Sequence, residues 1–289
     1  MRSRRVLVTG ATSPLGLAIG RRLKALSHIA IGTVRSERHA TSLATYDRLI
    51  HVDLNEPSTI DSISGDFDGV IHVAAASHGS PELLMRVTGI ATSLLIERAI
   101  KLGIPKFIHV SAISVYGAPS GPLVTADTQV LHSSPYGAAK WAAECYLHSA
   151  RHLIAGVSVR SPGIVGAHPL GHSHFLARIL SQMQSGATTC EVSNPDFRFN
   201  NVIHEDTLAE FLVDLALSDM DGFRSCPVGT ISDVVLRELI NQIAEHVNYQ
   251  GVIKWSASQT PPFSIGIDDA VLLGFHPITT SETVTRWLT

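Results

Sequence analysis

Tyr136 and Lys140 stand four residues apart behind Ser134-Pro135. That spacing puts a phenol and an ammonium on one face of a helix. Ser134 has the chemistry of a helix cap and Pro135 that of a first-turn residue. A free tyrosine titrates near ~10, too high for easy proton exchange at neutral pH. A neighbouring ammonium favours the phenolate and is expected to bring that value down. The pair could then give a proton to an alkoxide as hydride arrives, or take one as hydride leaves.

A second constellation, Thr9-Gly10-Ala11-Thr12-Ser13-Pro14-Leu15-Gly16, follows the short apolar run 6–8. Gly10 permits a sharp strand-to-helix turn, Gly16 permits close helix packing, and the first helical amides can hold a pyrophosphate. Ser13 stands where the three-glycine fingerprint has its middle glycine and brings a hydroxyl that could face phosphate. Thr12, Ser13, Pro14 and Leu15 all belong to this turn. In such folds a carboxylate about 20 residues further on binds the adenine ribose. Here the corresponding stretch is Thr33-Val34-Arg35-Ser36, and Arg35 suits a 2′-phosphate through its planar, charge-assisted donors. NADP(H) is therefore favoured and NAD(H) stays open; the competing reading of Arg35 is a solvated surface arginine.

These residues need a scaffold. Apolar strand-like runs at 6–8, 29–34, 49–52, 70–76, 107–111 and 157–160 alternate with helical patterns at 15–26, 82–102 and 136–152. Strands without a polar face imply a parallel sheet covered on both sides, hence an α/β doubly wound, Rossmann-type fold. After Pro162 the pattern loosens into a Gly/His/Pro-rich loop at 166–174, a helix at 175–184, a strand running into a helix at 201–218 and a helix at 234–246. The expected division is a dinucleotide-binding domain of 1–162 and 199–221, with a small discontinuous C-terminal substrate lobe of 163–198 and 222–289.

With 45% hydrophobic and 16% charged residues the chain can bury an ample core, and its net charge of −3 gives no reason to expect nucleic acid or an anionic membrane as partner. Cys145, Cys190 and Cys226 form neither a disulfide framework nor a paired-cysteine zinc site. The basic N-terminus lacks a long apolar run behind it and no membrane span follows, so a cytoplasmic protein is expected.

Thr9–Gly16, Asp53-Leu54, the run Val70 to Ala75, the run Val110 to Gly117, Tyr136–Lys140, the run Arg160 to Gly163, the run Asn201 to Asp206 and a late Leu273-Gly274-Phe275 occur in one order. In that order the chain resembles the extended short-chain dehydrogenases/reductases, the NAD-dependent epimerase/dehydratase family, most of which act on nucleotide-linked sugars. The resemblance implies that Asp53 and Leu54 border the adenine and that Ala74, Ala75 and Ala76 leave room for the cofactor. It implies that Tyr136 is the acid/base at the reacting carbon–oxygen bond, that Lys140 binds the nicotinamide ribose and that Pro162 lies near the nicotinamide. It also implies a diphosphate contact for Arg198, with a surface salt bridge as the alternative, and a homodimer through helices 82–102 and 136–152. Ala138, Ala139, Ala142 and Ala143 would allow close packing there.

One position departs from the pattern. The family places Ser or Thr four residues before the tyrosine of Val115-Tyr116-Gly117, and this chain has Ala112. Strand alternation puts Ser114 on the same face as residue 112 if the backbone stays extended, and Ser111 on the other. Ser114 is the expected substitute donor, with Ser111 available if the strand end bends. His168, His172 and His174 match no standard metal spacing, so no metal is expected. Asp206 is expected to cap the helix that follows it.

The expected function is an NADP(H)-dependent reductase or dehydrogenase of a sugar nucleotide. The first alternative is an NAD+-retaining epimerase or dehydratase. The second is a non-catalytic NADP(H)-binding regulator, motivated by Ala112.

Overall fold

The structure, a computed structural model, describes residues 2–36, 44–131, 134–166, 174–259 and 261–289. The first half runs β1 (Arg5–Thr9), α1 (Pro14–Ala25), β2 (Ile29–Val34), β3 (Arg48–His51), β4 (Gly69–His72), α2 (Pro81–Leu84), α3 (Ala91–Lys101), β5 (Lys106–Ala112), β6 (Leu123–Val124), α4 (Pro135–Ser149) and β7 (Ala155–Ser161). The second half runs β8 (Gly163–Val165), α5 (Phe175–Gln184), β9 (Thr189–Ser193), β10 (Val202–His204), α6 (Glu205–Leu217), β11 (Phe223–Pro227), α7 (Leu236–His246), β12 (Val252–Ser256), β13 (Ser264–Ile265), α8 (Asp268–Leu272) and α9 (Thr280–Leu288).

Seven parallel strands form one sheet in the order β11-β7-β5-β4-β1-β2-β3. The chain starts in the middle, winds outward to β3, then returns across β4 to the other edge. That reversal opens a crevice at the carboxyl ends of β1 and β4, where ligands of such sheets bind. The inner strands are buried on both faces, as their uninterrupted apolar sequences require. One core cluster joins α1 and α6 to the sheet through Ile19, Leu23, Leu208 and Leu212; a second joins α3 to the opposite face through Leu95, Ile96 and Phe107. This is the expected doubly wound fold. A third cluster, with Leu176, Val192, Phe199, Leu239 and Ile240, lies among the elements after Pro162.

Three boundaries differ from the sequence expectation. The expected limit at 222 puts Phe223–Pro227 in the small lobe, but this segment pairs with β7 as the edge strand of the main sheet. A five-residue edge strand with partly exposed residues carries little apolar signal of its own. The strand expected at 70–76 ends at His72 because residues 73–76 leave the sheet. The expected helix 82–102 contains a π-helical segment, Met85–Ile90, between α2 and α3. Segments of this kind recur at functional sites.

Two of the four alanines of α4 pack within the chain, while Ala138 and Ala142 are half-buried. Ala139 and Ala143 are fully buried, and a Cβ on Gly89 in the π segment would sit 3.5 Å from the Ala139 carbonyl oxygen and 3.8 Å from Ala142 Cβ. No helix among the described residues is long and apolar enough to cross a membrane.

Candidate active site

At the carboxyl ends of β1, β2 and β4 lies a cleft of about 280 Å³. Its floor is Gly10, Thr12 and Ser13, one wall is Thr33 and Arg35, another is Asp53, Leu54 and Asn55, and the third is Val73, Ala74, Ala75 and Val87. Gly10 has φ +71, and a Cβ there would stand 2.9 Å from the Ala74 amide nitrogen. The position admits only glycine comfortably. A Cβ on Gly16 would collide with the Gly10 carbonyl, so the first turn of α1 seats directly on the loop.

The Ser13 hydroxyl, at the cleft floor, is already engaged. It donates to the Gly10 carbonyl at 2.8 Å and accepts from the Gly16 amide at 3.0 Å, capping α1. Pro14 takes the first helical position, Leu15 is buried in the core, and Ala76 sits behind the lining. Asp53 accepts at Oδ1 from the Asn55 amide at 2.9 Å. Arg35 is exposed at the rim.

A directed hydrogen-bond chain fixes the Ala74–Ala76 wall. Thr92 Oγ1 donates to the Thr88 carbonyl at 2.7 Å, so it must accept from His72 Nε2 at 2.9 Å. His72 Nδ1 is then an acceptor for Thr9 Oγ1 at 2.7 Å, and Thr9 in turn accepts from the Ala74 amide at 3.2 Å. Thr88, inside the π segment, donates to the Ala76 carbonyl at 2.9 Å and accepts from the Ala76 amide at 3.0 Å. Burial first, then the charge of Lys140, lowers the His72 pKa to about 3, so the ring is neutral. Sequence reading missed this clamp and the lining residues Thr33 and Asn55. Thr33 had a signal, since it lies on β2 two residues before Arg35.

Tyr136 and Lys140 lie on α4, whose N-cap Ser134 accepts from the Gly137 amide at 3.0 Å, as expected. Lys140 Nζ is 5.9 Å from the centre of the Tyr136 ring and donates to the Val110 carbonyl at 2.6 Å. The lysine is only 2% exposed. Burial lowers its pKa to about 8, against the opposing pull of Glu144. The expectation of a depressed tyrosine is overturned: burial pushes the Tyr136 phenol up to about 12. Desolvation of the phenolate outweighs an ammonium that is itself turned toward a backbone carbonyl.

β5 ends at Ala112, and Ile113–Tyr116 forms a 3-10 turn, so simple strand alternation does not reach Ser114. The turn nevertheless seats Ser114 at the start of α4, where a Cβ on Gly137 would run into the Ser114 carbonyl. Ser114 Oγ is buried and has no hydrogen-bond partner among the described residues. Ser111 is engaged elsewhere: its hydroxyl donates to the Glu144 carboxylate. Ala112 pairs with Ser161, immediately before the buried Pro162. These elements thus converge at the carboxyl ends of β5 and β7.

The remaining candidates lie apart from this cluster. Arg198 is exposed and donates to the Ser232 carbonyl at 2.9 Å. The cap of α6 is His204, which accepts from the Asp206 amide at 3.2 Å, rather than Asp206. Asp206 pairs instead with Arg21 at 3.2 Å. His168 and His172 lie outside the described residues, and His174 precedes α5.

The cleft also fits a dinucleotide by its own shape: a loop that closes only with glycine, the start of α1 behind it, and small alanines above. The model of the NAD dependent epimerase/dehydratase family matches residues 6–202. The chain is 30% identical to a D-erythronate dehydrogenase of Cupriavidus necator, over 65% of this chain and 65% of that protein. It is 28% identical to a UDP-glucose 4-epimerase of Mycolicibacterium smegmatis, over 83% of this chain and 82% of that protein. The solved structure of MoeE5 in complex with UDP-glucose and NAD shares the fold with a TM-score of 0.81 at 22% identity, covering 98% of this chain and 97% of that one. The chain spans between about half and two thirds of the length of the first curated relatives it matches.

Proposed function

The chain belongs to the NAD dependent epimerase/dehydratase family, and from that premise we propose that it is a dinucleotide-dependent oxidoreductase of nucleotide-linked sugars. The observation that carries this reading is the buried Lys140 one helical turn from Tyr136, with Nζ 5.9 Å from the phenol ring. The bound nicotinamide would supply the hydride acceptor or donor. Gly10, Thr12, Ala74 and Ala75 would hold the dinucleotide, and Asp53 and Leu54 would border its adenine.

Tyr136 exchanges the proton at the reacting carbon–oxygen bond. In a dry site the neutral phenol is its resting form, which suits donation to a developing alkoxide. Lys140 binds the ribose and, once drawn from Val110, favours the phenolate in the opposite direction. Ser114 supplies the hydroxyl that Ala112 cannot, and its unpartnered, buried Oγ supports that role. Arg198, exposed and bonded to the Ser232 carbonyl, would contact the substrate diphosphate. The homodimer and the cytoplasmic setting remain part of the proposal, the latter in keeping with three free cysteines.

For the cofactor, Arg35 beside Thr33 at the cleft supports NADP(H) and a released hydride donor. The second reading is an epimerase that retains NAD+, favoured by the match to a UDP-glucose 4-epimerase along 83% of the chain. A dehydratase that retains NAD+ belongs to the same reading.

Denaturing the freshly purified protein and weighing any released nucleotide separates these readings. Stoichiometric NAD+ favours the internal recycling of an epimerase. NADP(H), or an empty site that prefers NADPH to NADH, favours the reductase. If neither dinucleotide binds, the reading fails.

A further inference from the structure

Beneath the catalytic helix Glu144 and Arg160 form a buried ion pair, their side chains 1% and 4% exposed. Arg160 Nη2 meets Oε2 at 2.9 Å, and its Nε lies 3.2 Å and 3.3 Å from the two carboxylate oxygens. Arg160 Nη1 donates to the Tyr116 hydroxyl at 2.9 Å and to the Ala126 carbonyl at 3.2 Å. Tyr116 donates onward to the Thr125 carbonyl at 2.7 Å, and Ser111 donates to Glu144. The guanidinium lies over the Tyr116 and Trp141 rings at 5.0 Å and 5.8 Å. Each element that builds the site contributes one member: α4, β5, β7 and the 3-10 turn carrying Ser114.

A buried pair of this kind is poor evidence for stability, because an apolar replacement often does as well. Its place suggests another role. Glu144 stands one helical turn beyond Lys140, on the same face. We infer that Glu144 is a positioning residue that keeps the Lys140 ammonium charged at neutral pH, with Arg160 and Ser111 holding the carboxylate in place.

The other groups around Lys140 support this. Tyr136 shares its helix, His72 and His109 face it from β4 and β5, and Arg160 stands behind Glu144 on β7. Burial keeps both histidines neutral near pH 7, so neither adds positive charge. Burial alone pulls Lys140 toward the free amine, and among the described residues Glu144 is the carboxylate that opposes it.

The inference rests on Tyr136 and Lys140 as the reacting pair, yet its test needs neither cofactor nor substrate. The folded pKa of Lys140, about 8, lies below the ordinary 10.5. Between these values the unfolded chain holds the extra proton, so the unfolding free energy climbs with pH. Urea unfolding of wild type and Lys140→Met from roughly pH 6 to roughly pH 10 isolates that climb by difference. It should begin near pH 8 in the wild-type background. With Glu144→Gln in both proteins, it should begin about one pH unit lower or more, a tenfold loss of proton affinity.

Because Glu144→Gln leaves the Arg160 guanidinium stranded, Glu144→Gln/Arg160→Met is run beside it. This variant removes both charges and should show a downward displacement as well. A climb that begins at the same pH with and without Glu144 overturns the inference. Failure of the wild type to bind either dinucleotide would sink the cofactor reading and leave this result standing by itself.

Discussion

Lys140 Nζ donates to the backbone carbonyl of Val110 at 2.6 Å, so the buried ammonium is tethered to the end of β5 and not to the Tyr136 phenol, whose ring centre is 5.9 Å away. A tethered, desolvated lysine with a pKa near 8 has a defined working range. The ammonium is present below that value and lost as pH rises through it. Turnover that depends on the charged lysine should therefore show an alkaline limb near pH 8. A pH–rate profile of kcat/KM measures it, and a plateau running well past pH 9 would contradict the assignment.

Tyr136→Phe removes the proton donor and leaves the ring. Turnover should fall by about 10²–10⁴-fold, the range for losing a general acid or base. Dinucleotide affinity should change less than turnover, because the ring stays and the cleft from Gly10 to Ala75 is untouched. Steady-state kinetics beside a fluorescence titration with NADPH and NADH separate the two effects.

Ser111 and Ser114 should respond in opposite ways. Ser111→Ala removes a bond to the buried Glu144 carboxylate and should cost about 1.5–3 kcal/mol of stability. Ser114→Ala removes a hydroxyl without a hydrogen-bond partner, so stability should hold. Activity should fall by about 10-fold or more if that hydroxyl meets the transition state. Denaturant melts and kcat on the two variants decide the matter, and the reverse pattern would return the role to Ser111.

Ser13→Ala should lower stability by about 1 kcal/mol through loss of the α1 cap, and Ser13→Gly by a few tenths. Neither should weaken dinucleotide binding much, because the hydroxyl is engaged with Gly10 and Gly16. Gly10→Ala should nearly abolish binding, since its φ of +71 and the Ala74 amide at 2.9 Å leave no place for a methyl group. Calorimetric titration with NADPH and NADH tests all three.

His72 predicts acid lability. Its folded pKa of about 3 lies below the ordinary 6.5, chiefly through burial. The unfolded chain therefore binds the proton first, and stability present above pH 6.5 is lost progressively as pH falls toward 3. His72→Leu should be less stable at pH 7, because the Thr9 and Thr92 hydroxyls lose partners. It should also lose less stability on acidification than the wild type. Melting temperatures between about pH 4 and pH 8 supply both comparisons.

The sequence by itself determined the doubly wound sheet, the glycine turn and the Tyr136–Lys140 face. These follow from local patterns: apolar runs of strand length, glycine where a turn must be tight, and a four-residue spacing that any helix converts into a shared face. Even the cap at Ser134 and the helix 175–184 were legible, because capping and amphipathic periodicity act within a few residues. Tertiary structure alone decided the electrostatics and the partners. Whether Tyr136 is raised or lowered depends on how much water remains around it. Whether Ser111 and Ser114 are free depends on which distant groups meet them. The His72 chain joins residues from β1, β4, α3 and the π segment, and the Glu144–Arg160 pair joins α4 to β7. Desolvation and hydrogen-bond direction are properties of the packed interior, created when segments far apart in the chain exclude water from one another.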